Sequence, residues 1–218
     1  MPKATQRVIG CIQVKGGAGR STLATNLAGE LSKRGKTLLV DCDMPQGTSA
    51  SWYVVRQESG NAKGTLALET ASSHAELIAA VERHPDARYV VLDAPPRIAE
   101  ITRAILVMSD LCIVPVGASK AEIWATGDVL TLIDEARQVR PVNARMVWTR
   151  HRGFTNLAKE LTEQAEKELG LPILKTVMAL RVAYNEALGD GLTIAEMPDP
   201  KGKQEMNFLI EEISRIIR

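Results

Sequence analysis

The sequence predicts an α/β fold, a single doubly wound domain over residues 1–218 with a mostly parallel sheet and helices on both faces. Three observations carry this expectation. Short β-branched runs alternate with helical periodicity along the whole chain. The strand-like runs are continuously apolar, as in a sheet buried on both sides. The residues of most marked chemical character fall just after strands, where ligands bind in such sheets.

The elements follow in order. RVIGCIQV (7–14) reads as a buried strand and runs into a Gly-rich loop. A helix over 21–35 has Leu23, Leu27 and Leu31 at i, i+4, i+8 and stops at Gly35. Strands are expected at KTLLVDCD (36–43) and TLALET (65–70). A helix over 72–84 opens on a Ser cap, with Glu76 in its first turn. RYVVLDAPP (88–96) is a strand ended by two prolines. Then come a helix over 97–108, a strand at 110–116, a long helix over 120–139 and a strand at 144–150. A charged helix over 155–169, a strand at 172–177 and a C-terminal amphipathic helix close the chain.

Length and composition bound the function. At about 100–200 residues per domain, 218 residues make one domain with a full core. The net charge of +1 gives no global field toward nucleic acid or membrane, so such binding needs a local patch or two subunits adding theirs. Cys11, Cys42 and Cys112 sit singly in apolar strand-like runs and read as buried residues of a reducing compartment. No apolar run reaches about 18 residues, and MPKATQRVIG lacks a signal-peptide core, so a cytoplasmic protein is expected.

The chemistry begins at KGGAGRST, Lys15 to Thr22. Gly16, Gly17 and Gly19 let backbone N–H groups turn inward around phosphate oxygens, and Ala18 completes the turn. The following helix aims its positive end at the same place. Ser21 is placed to ligate Mg²⁺ and Thr22 to bond a phosphate oxygen. The common GxxxxGK[ST] pattern is not met, because Val14 stands where its first Gly belongs. The variant KGGxGK[ST] is met, with Arg20 in the Lys place. In VDCDMPQG, Asp41 and Asp43 end a strand on alternate positions and share one side of it, toward Mg²⁺ and an attacking water. In YVVLDAPP, Asp93 ends an apolar strand and suits the metal's water shell.

Together these segments resemble the ParA/MinD family of deviant-Walker ATPases, a P-loop NTPase type. The likeness is greatest to small ParA-type partition and positioning proteins without an N-terminal DNA-binding extension. KGGAGRST resembles the family's KGGVGKTT, LLVDCDMPQG its LLVDxDPQG, YVVLDAPP its YVIIDTPP and SDLCIVPV its ADxVLIPV. RVAYNEALGDGLTIAEMPDPKGKQEM resembles the region that closes over adenine. The resemblance implies an ATP- and Mg²⁺-dependent homodimer that sandwiches two nucleotides. Lys15 is then the residue that reaches the partner's nucleotide, Asp43 orients water, Ser21 ligates Mg²⁺, and Asp41 and Asp93 support it. It further implies nonspecific DNA binding, nucleoid association, and a ParB-like or small DNA-binding adaptor that stimulates hydrolysis. The cargo is then a plasmid or chromosome region, or alternatively a carboxysome or chemoreceptor cluster.

Two departures stand out. Met44 is inserted after Asp43, and Arg20 replaces a compact point charge with a planar fork, which predicts slowed hydrolysis rather than an empty site. DNA contacts are expected among Arg150, Arg152, Lys159, Lys175, Arg181, Lys201 and Lys203. Trp52, Trp124 and Trp148 are expected in the core. The last helix carries Glu211 and Glu212 and lacks a basic face, so packing on the sheet is preferred to a MinD-like membrane anchor. An electron-transferring iron protein is disfavoured, because the loop after Asp93 reads Ala-Pro-Pro, without cluster cysteines.

Overall fold

Strand β1 (Arg7–Cys11) lies inside the sheet of the computed structural model, which describes residues 6–60, 65–96, 99–153 and 156–217. It pairs in parallel with β4 (Tyr89–Asp93) on one side and β5 (Leu111–Gly117) on the other. Beyond β4 come β2 (Thr37–Asp41) and β3 (Leu66–Thr70), and beyond β5 comes β6 (Ala144–Thr149). The order is β3-β2-β4-β1-β5-β6, with every pairing parallel. The chain therefore leaves β1 toward one edge and later returns to build the other. A crevice results at the C-terminal end of β1.

Strand alternation splits the core in two. Val8, Leu38, Val40, Val90 and Leu92 face helices α3 (His74–Arg83), α4 (Ala99–Met108), α6 (Gly127–Arg137) and α7 (Asn156–Leu169). Ile9, Leu39, Val91, Ile113 and Val147 face α1 (Arg20–Ser32), α2 (Thr48–Glu58) and α9 (Pro200–Ile216). Leu23, Leu27 and Leu31 of α1 are fully buried, each worth roughly 1.5–3 kcal/mol relative to exposure, so the helix behind the Gly-rich loop is firmly seated. Helix α9 buries Met206, Leu209, Ile210 and Ile213 against the same layer, which matches the packing expected for it. Among the described residues, no helix is long and apolar enough to cross a membrane. All three cysteines are buried.

Several expectations need correction. The segment 172–177 forms no ladder. It touches the β6 edge through an isolated bridge from Met146 to Ile173, and Pro172, at its start, has no N–H to donate. The long helix expected over 120–139 is two: α5 (Lys120–Trp124) and α6. At the break Thr126 donates its hydroxyl to the Glu122 carbonyl four residues back, at 2.9 Å, a bond that bends helices. Trp124 is 66% exposed rather than in the core, since Ile123 takes the buried face of α5, whereas Trp52 and Trp148 are buried. Two helices escaped the sequence reading, α2 and α8 (Val182–Gly189). The buried stripe of α2 is Ser49, Trp52 and Arg56, mostly polar and so invisible to apolar periodicity. The side chain of Lys159 and residues 97, 98, 154 and 155 lie outside the described residues.

Candidate functional site

The Gly-rich loop connects β1 to α1. Gly17 and Gly19 take φ values of 75° and 97°, which side chains rarely adopt. A Cβ added at Gly16 or Gly17 meets nothing within 4 Å, so the loop opens outward. Gly19 caps α1 without any side-chain bond, and the first turn holds no acidic residue. The free amides and positive end of α1 thus face the loop unneutralised, a ready anion site. The loop is pinned from outside: the Thr149 hydroxyl donates to the buried Ala18 carbonyl at 2.9 Å. Gln13 pins its start, accepting from the Val14 amide at 3.0 Å while donating to Pro115 and Thr126.

Arg20 is turned inward and only 6% exposed. Its Nη1 donates to the carbonyls of Gln13 and, at 3.2 Å, Lys15; its Nη2 donates to Asp43 Oδ2 at 3.4 Å. The Nε–H is buried without a partner. The fork is therefore committed to the loop's own backbone and to Asp43. A compact ammonium has no such second arm.

Three carboxylates meet at the strand ends, where Asp41 and Asp93 are in register on β2 and β4. Asp41 is fully buried, and both its oxygens accept backbone amides, from Asp43 at 2.9 Å and Ala50 at 2.8 Å. It anchors the loop that carries Asp43. That loop includes Met44 and folds back through a 2.8 Å bond from the Gly47 amide to the Asp43 carbonyl. Asp43 faces Arg20 despite the inserted Met44. Burial raises its pKa, and Arg20 opposes the rise. Asp93 is fully buried; burial pushes its pKa up to about 7, against bonds from the Ser49 and Ser21 hydroxyls that lower it. Ser49 donates to Oδ2 at 2.7 Å, and Oδ1 has no partner. The Ser21 hydroxyl and an unpartnered carboxylate oxygen beside an anion cradle fit Mg²⁺, which keeps several waters and takes phosphate oxygens. Among the described residues no cluster of three His, Cys, Asp or Glu side chains forms a dedicated metal cage.

Beside the loop lies a cavity of 120 Å³ lined by Gly17, Gly19, Thr22, Thr149, Arg150, Leu180, Arg181, Tyr184 and Asn185. Helix α8 supplies its wall. The Tyr184 hydroxyl is buried without a partner, and burial raises its pKa. This is the segment whose likeness to an adenine-closing region was noted in the sequence. A half-open slot of mixed lining next to an anion cradle suits a nucleotide.

Every residue singled out in KGGAGRST, VDCD and YVVLD is thus brought to one end of the sheet. Sequence reasoning missed Gln13, Ser49, Thr149 and Glu122. Ser119-Lys-Ala-Glu122 carried a signal, the S-x-x-E of a helix start. The other three have no pattern of their own. Of the candidate DNA-binding cations, Arg150 is paired with Glu122 at 3.0 Å and Arg181 with Glu205 at 2.5 Å. Arg152, Lys175, Lys201 and Lys203 are exposed.

A phosphate cradle, a metal-compatible Ser–Asp pair and a base-sized slot on a parallel sheet define a P-loop nucleotide-binding protein. The chain belongs to the CobQ/CobB/MinD/ParA nucleotide-binding domain family, whose model matches residues 9–194. It is 30% identical over 243 residues to the chromosome-partitioning ATPase Soj of Thermus thermophilus, covering 98% of this chain and 97% of the relative. It is 27% identical over 206 residues to the maintenance of carboxysome distribution protein A of Halothiobacillus neapolitanus, covering 92% and 93%. An ATP complex of a Cyanothece McdA variant shares the fold, with a TM-score of 0.79 at 15% identity over 96% of this chain and 97% of the other.

Proposed function

We propose that this chain is a ParA-type positioning ATPase that binds Mg-ATP, dimerises around it, holds nonspecific DNA in that state and is released by a cargo-borne partner. One observation carries the nucleotide part: the uncapped, glycine-lined end of α1, faced by Ser21, Asp43 and the unpartnered oxygen of Asp93, opens beside the α8 slot. In this reading Gly16, Gly17, Ala18 and Gly19 wrap the phosphates and Thr22 adds a contact, while Arg20, its fork committed to the loop backbone and Asp43, contributes positive charge beside them. Ser21 ligates Mg²⁺, and Asp93 holds the ion's water shell. Asp41 acts through the loop it anchors, aiming Asp43 at the attacking water. Lys15 meets the nucleotide of a second copy. The metal, when bound, neutralises charge on the phosphates.

The positioning part is supported by the two relatives, matched along nearly their whole length. The cargo is proposed as a plasmid or chromosome region, as the name of the Thermus relative favours; the Halothiobacillus relative favours a carboxysome as the second reading. Duplex DNA is proposed to lie on the exposed cations Arg152, Lys175, Lys201 and Lys203, contributed by both subunits. A nucleoid-associated, cytoplasmic location follows from that reading, with a ParB-like protein or small adaptor as partner.

The test is binding to a random-sequence duplex with Mg-ATP, with ADP and without nucleotide. Binding with ATP alone, weakening steeply with salt, is expected. Binding in none of the three states by this protein or by its Arg20→Lys variant refutes the DNA reading.

A further inference from the structure

An open groove of about 670 Å³ runs between α9 and the stretch after α7 that touches the β6 edge. Its volume is that of a ligand-binding cleft. Arg145, the second residue of β6, lines it, so the groove sits toward the end of the sheet opposite the phosphate cradle. Part of its lining is apolar. Met206, Leu209, Ile210 and Ile213 take the buried face of α9, which leaves Phe208 on the outer face, 57% exposed. Half-buried Val177 and Ile216 line the groove with it.

The charges of the groove divide unequally. Its three carboxylates are committed to the chain itself. Glu205 holds Arg181 at 2.5 Å and accepts the Ala179 amide at 3.3 Å. Glu211 holds Arg34 at 2.7 Å. Glu212 accepts the Lys175 and Thr176 amides at 2.8 and 3.0 Å and the Thr176 hydroxyl at 2.8 Å. The cations are not committed. Among the described residues the side chains of Arg145, Lys175 and Arg215 meet no carboxylate, and the Arg145 Nε–H is buried without an acceptor. A donor withdrawn from water costs free energy until an acceptor is supplied.

We propose that this groove docks an acidic segment of a partner protein, anchored by one large apolar side chain. The apolar group packs on Phe208, Val177 and Ile216, and carboxylates on either side of it pair with Arg145, Lys175 and Arg215. Charge complementarity selects this occupant: three cations without carboxylates surround a surface that is otherwise apolar or already bonded. An exposed aromatic beside arginines is also the residue pairing that dominates protein docking sites. A DNA duplex is the poorer match, because Phe208 offers its phosphates no donor and Glu211 and Glu212 repel them. Lys175 belongs also to the proposed DNA surface; Arg145, Phe208 and Arg215 do not, so the two surfaces can be separated. The docking does not depend on the nucleotide reading.

The experiment pans the full chain, its Phe208→Ser variant and its Arg145→Gln, Arg215→Gln double variant against a random peptide library displayed on phage, with melting temperatures measured in parallel. The unmodified chain is expected to retain peptides that both variants lose, rich in Asp and Glu around an aliphatic or aromatic residue. A fluorescein-labelled peptide of that consensus is then titrated by anisotropy. Its affinity is expected to fall about tenfold with Phe208→Ser, about fivefold with Arg215→Gln alone, and further with rising salt. Phe208→Leu, which keeps an apolar surface, is expected to restore most of the binding. If the double variant does not fold, Arg215→Gln alone decides, since Arg215 is exposed. Retained peptides that lack acidic residues, or that bind all variants equally, overturn the proposal. So does a random-sequence duplex that binds the unmodified chain, is lost by the double variant and is indifferent to Phe208→Ser, a result that assigns the groove to nucleic acid.

Discussion

Arg20→Lys is expected to raise the rate of ATP hydrolysis by about tenfold. Arg20 Nη2 and Asp43 Oδ2 stand 3.4 Å apart, with side chains 7% and 14% exposed. Two unit charges at that distance attract by about 5 kcal/mol at an effective dielectric of about 20, before desolvation and ordering are counted. Charge-assisted bonds retain about 1.5–3 kcal/mol net, and a 3.4 Å contact belongs at the lower end. In the proposed reading Asp43 orients the attacking water only after leaving that contact, which adds about 1.5 kcal/mol to the barrier, close to one decade in rate. Lysine lacks the second arm, so it reaches the phosphates without holding Asp43. The assay is phosphate release at saturating Mg-ATP with duplex DNA present, alongside equilibrium nucleotide binding. Unchanged turnover with intact binding refutes the assignment of Arg20 as the brake.

Other outcomes follow from packing and charge. Burial alone raises the Glu196 pKa, but the Arg56 fork, the Thr193 amide and Lys33 more than offset this and hold it at about 2, against an ordinary 4.5. A depressed carboxylate contributes stability that is present above pH 4.5 and lost as pH falls through 2. Glu196→Gln is therefore expected to cost roughly 2 kcal/mol at pH 7, allowing for partial exposure, and almost nothing near pH 2, measured by urea unfolding across that range. Gly191 has φ 67°, and a Cβ there meets the Arg56 amide nitrogen at 2.4 Å, so Gly191→Ala is expected to cost more than about 3 kcal/mol in the same assay. Trp52→Ala is expected to cost about 3–5 kcal/mol and Trp124→Ala less than about 0.5 kcal/mol. Equal costs for the two tryptophans would contradict their placement.

Much of this arrangement is legible in the sequence. The apolar runs before Lys15, Asp43 and Asp93 set three strands side by side, and glycines between a strand and a leucine-striped helix announced the phosphate loop. What stayed hidden was carried by polar residues with distant partners. Gln13 bonds across 113 residues to Thr126, Lys15 across 107 to Glu122, and Ser49 across 44 to Asp93. No local period marks such pairs. The break between α5 and α6 was equally silent, since Thr126 reads as an ordinary helical residue until its hydroxyl is seen to bond the preceding turn. Trp124 is misread for a different reason: a large aromatic suggests burial, but its neighbour Ile123 takes the buried face of α5.

The clamp between α2 and the stretch after α8 has a mechanical consequence. Trp52 donates to the Leu192 carbonyl at 2.9 Å, and Arg56 grips Gly191 and both oxygens of Glu196. Helix α2 begins just after the Asp43 loop, and Gly191 follows closely on the helix that walls the slot. The wall of the slot and the loop that carries Asp43 are bolted together as one lever. Under the proposed nucleotide reading, a displacement of α8 is transmitted through this clamp to α2 and the loop that carries Asp43.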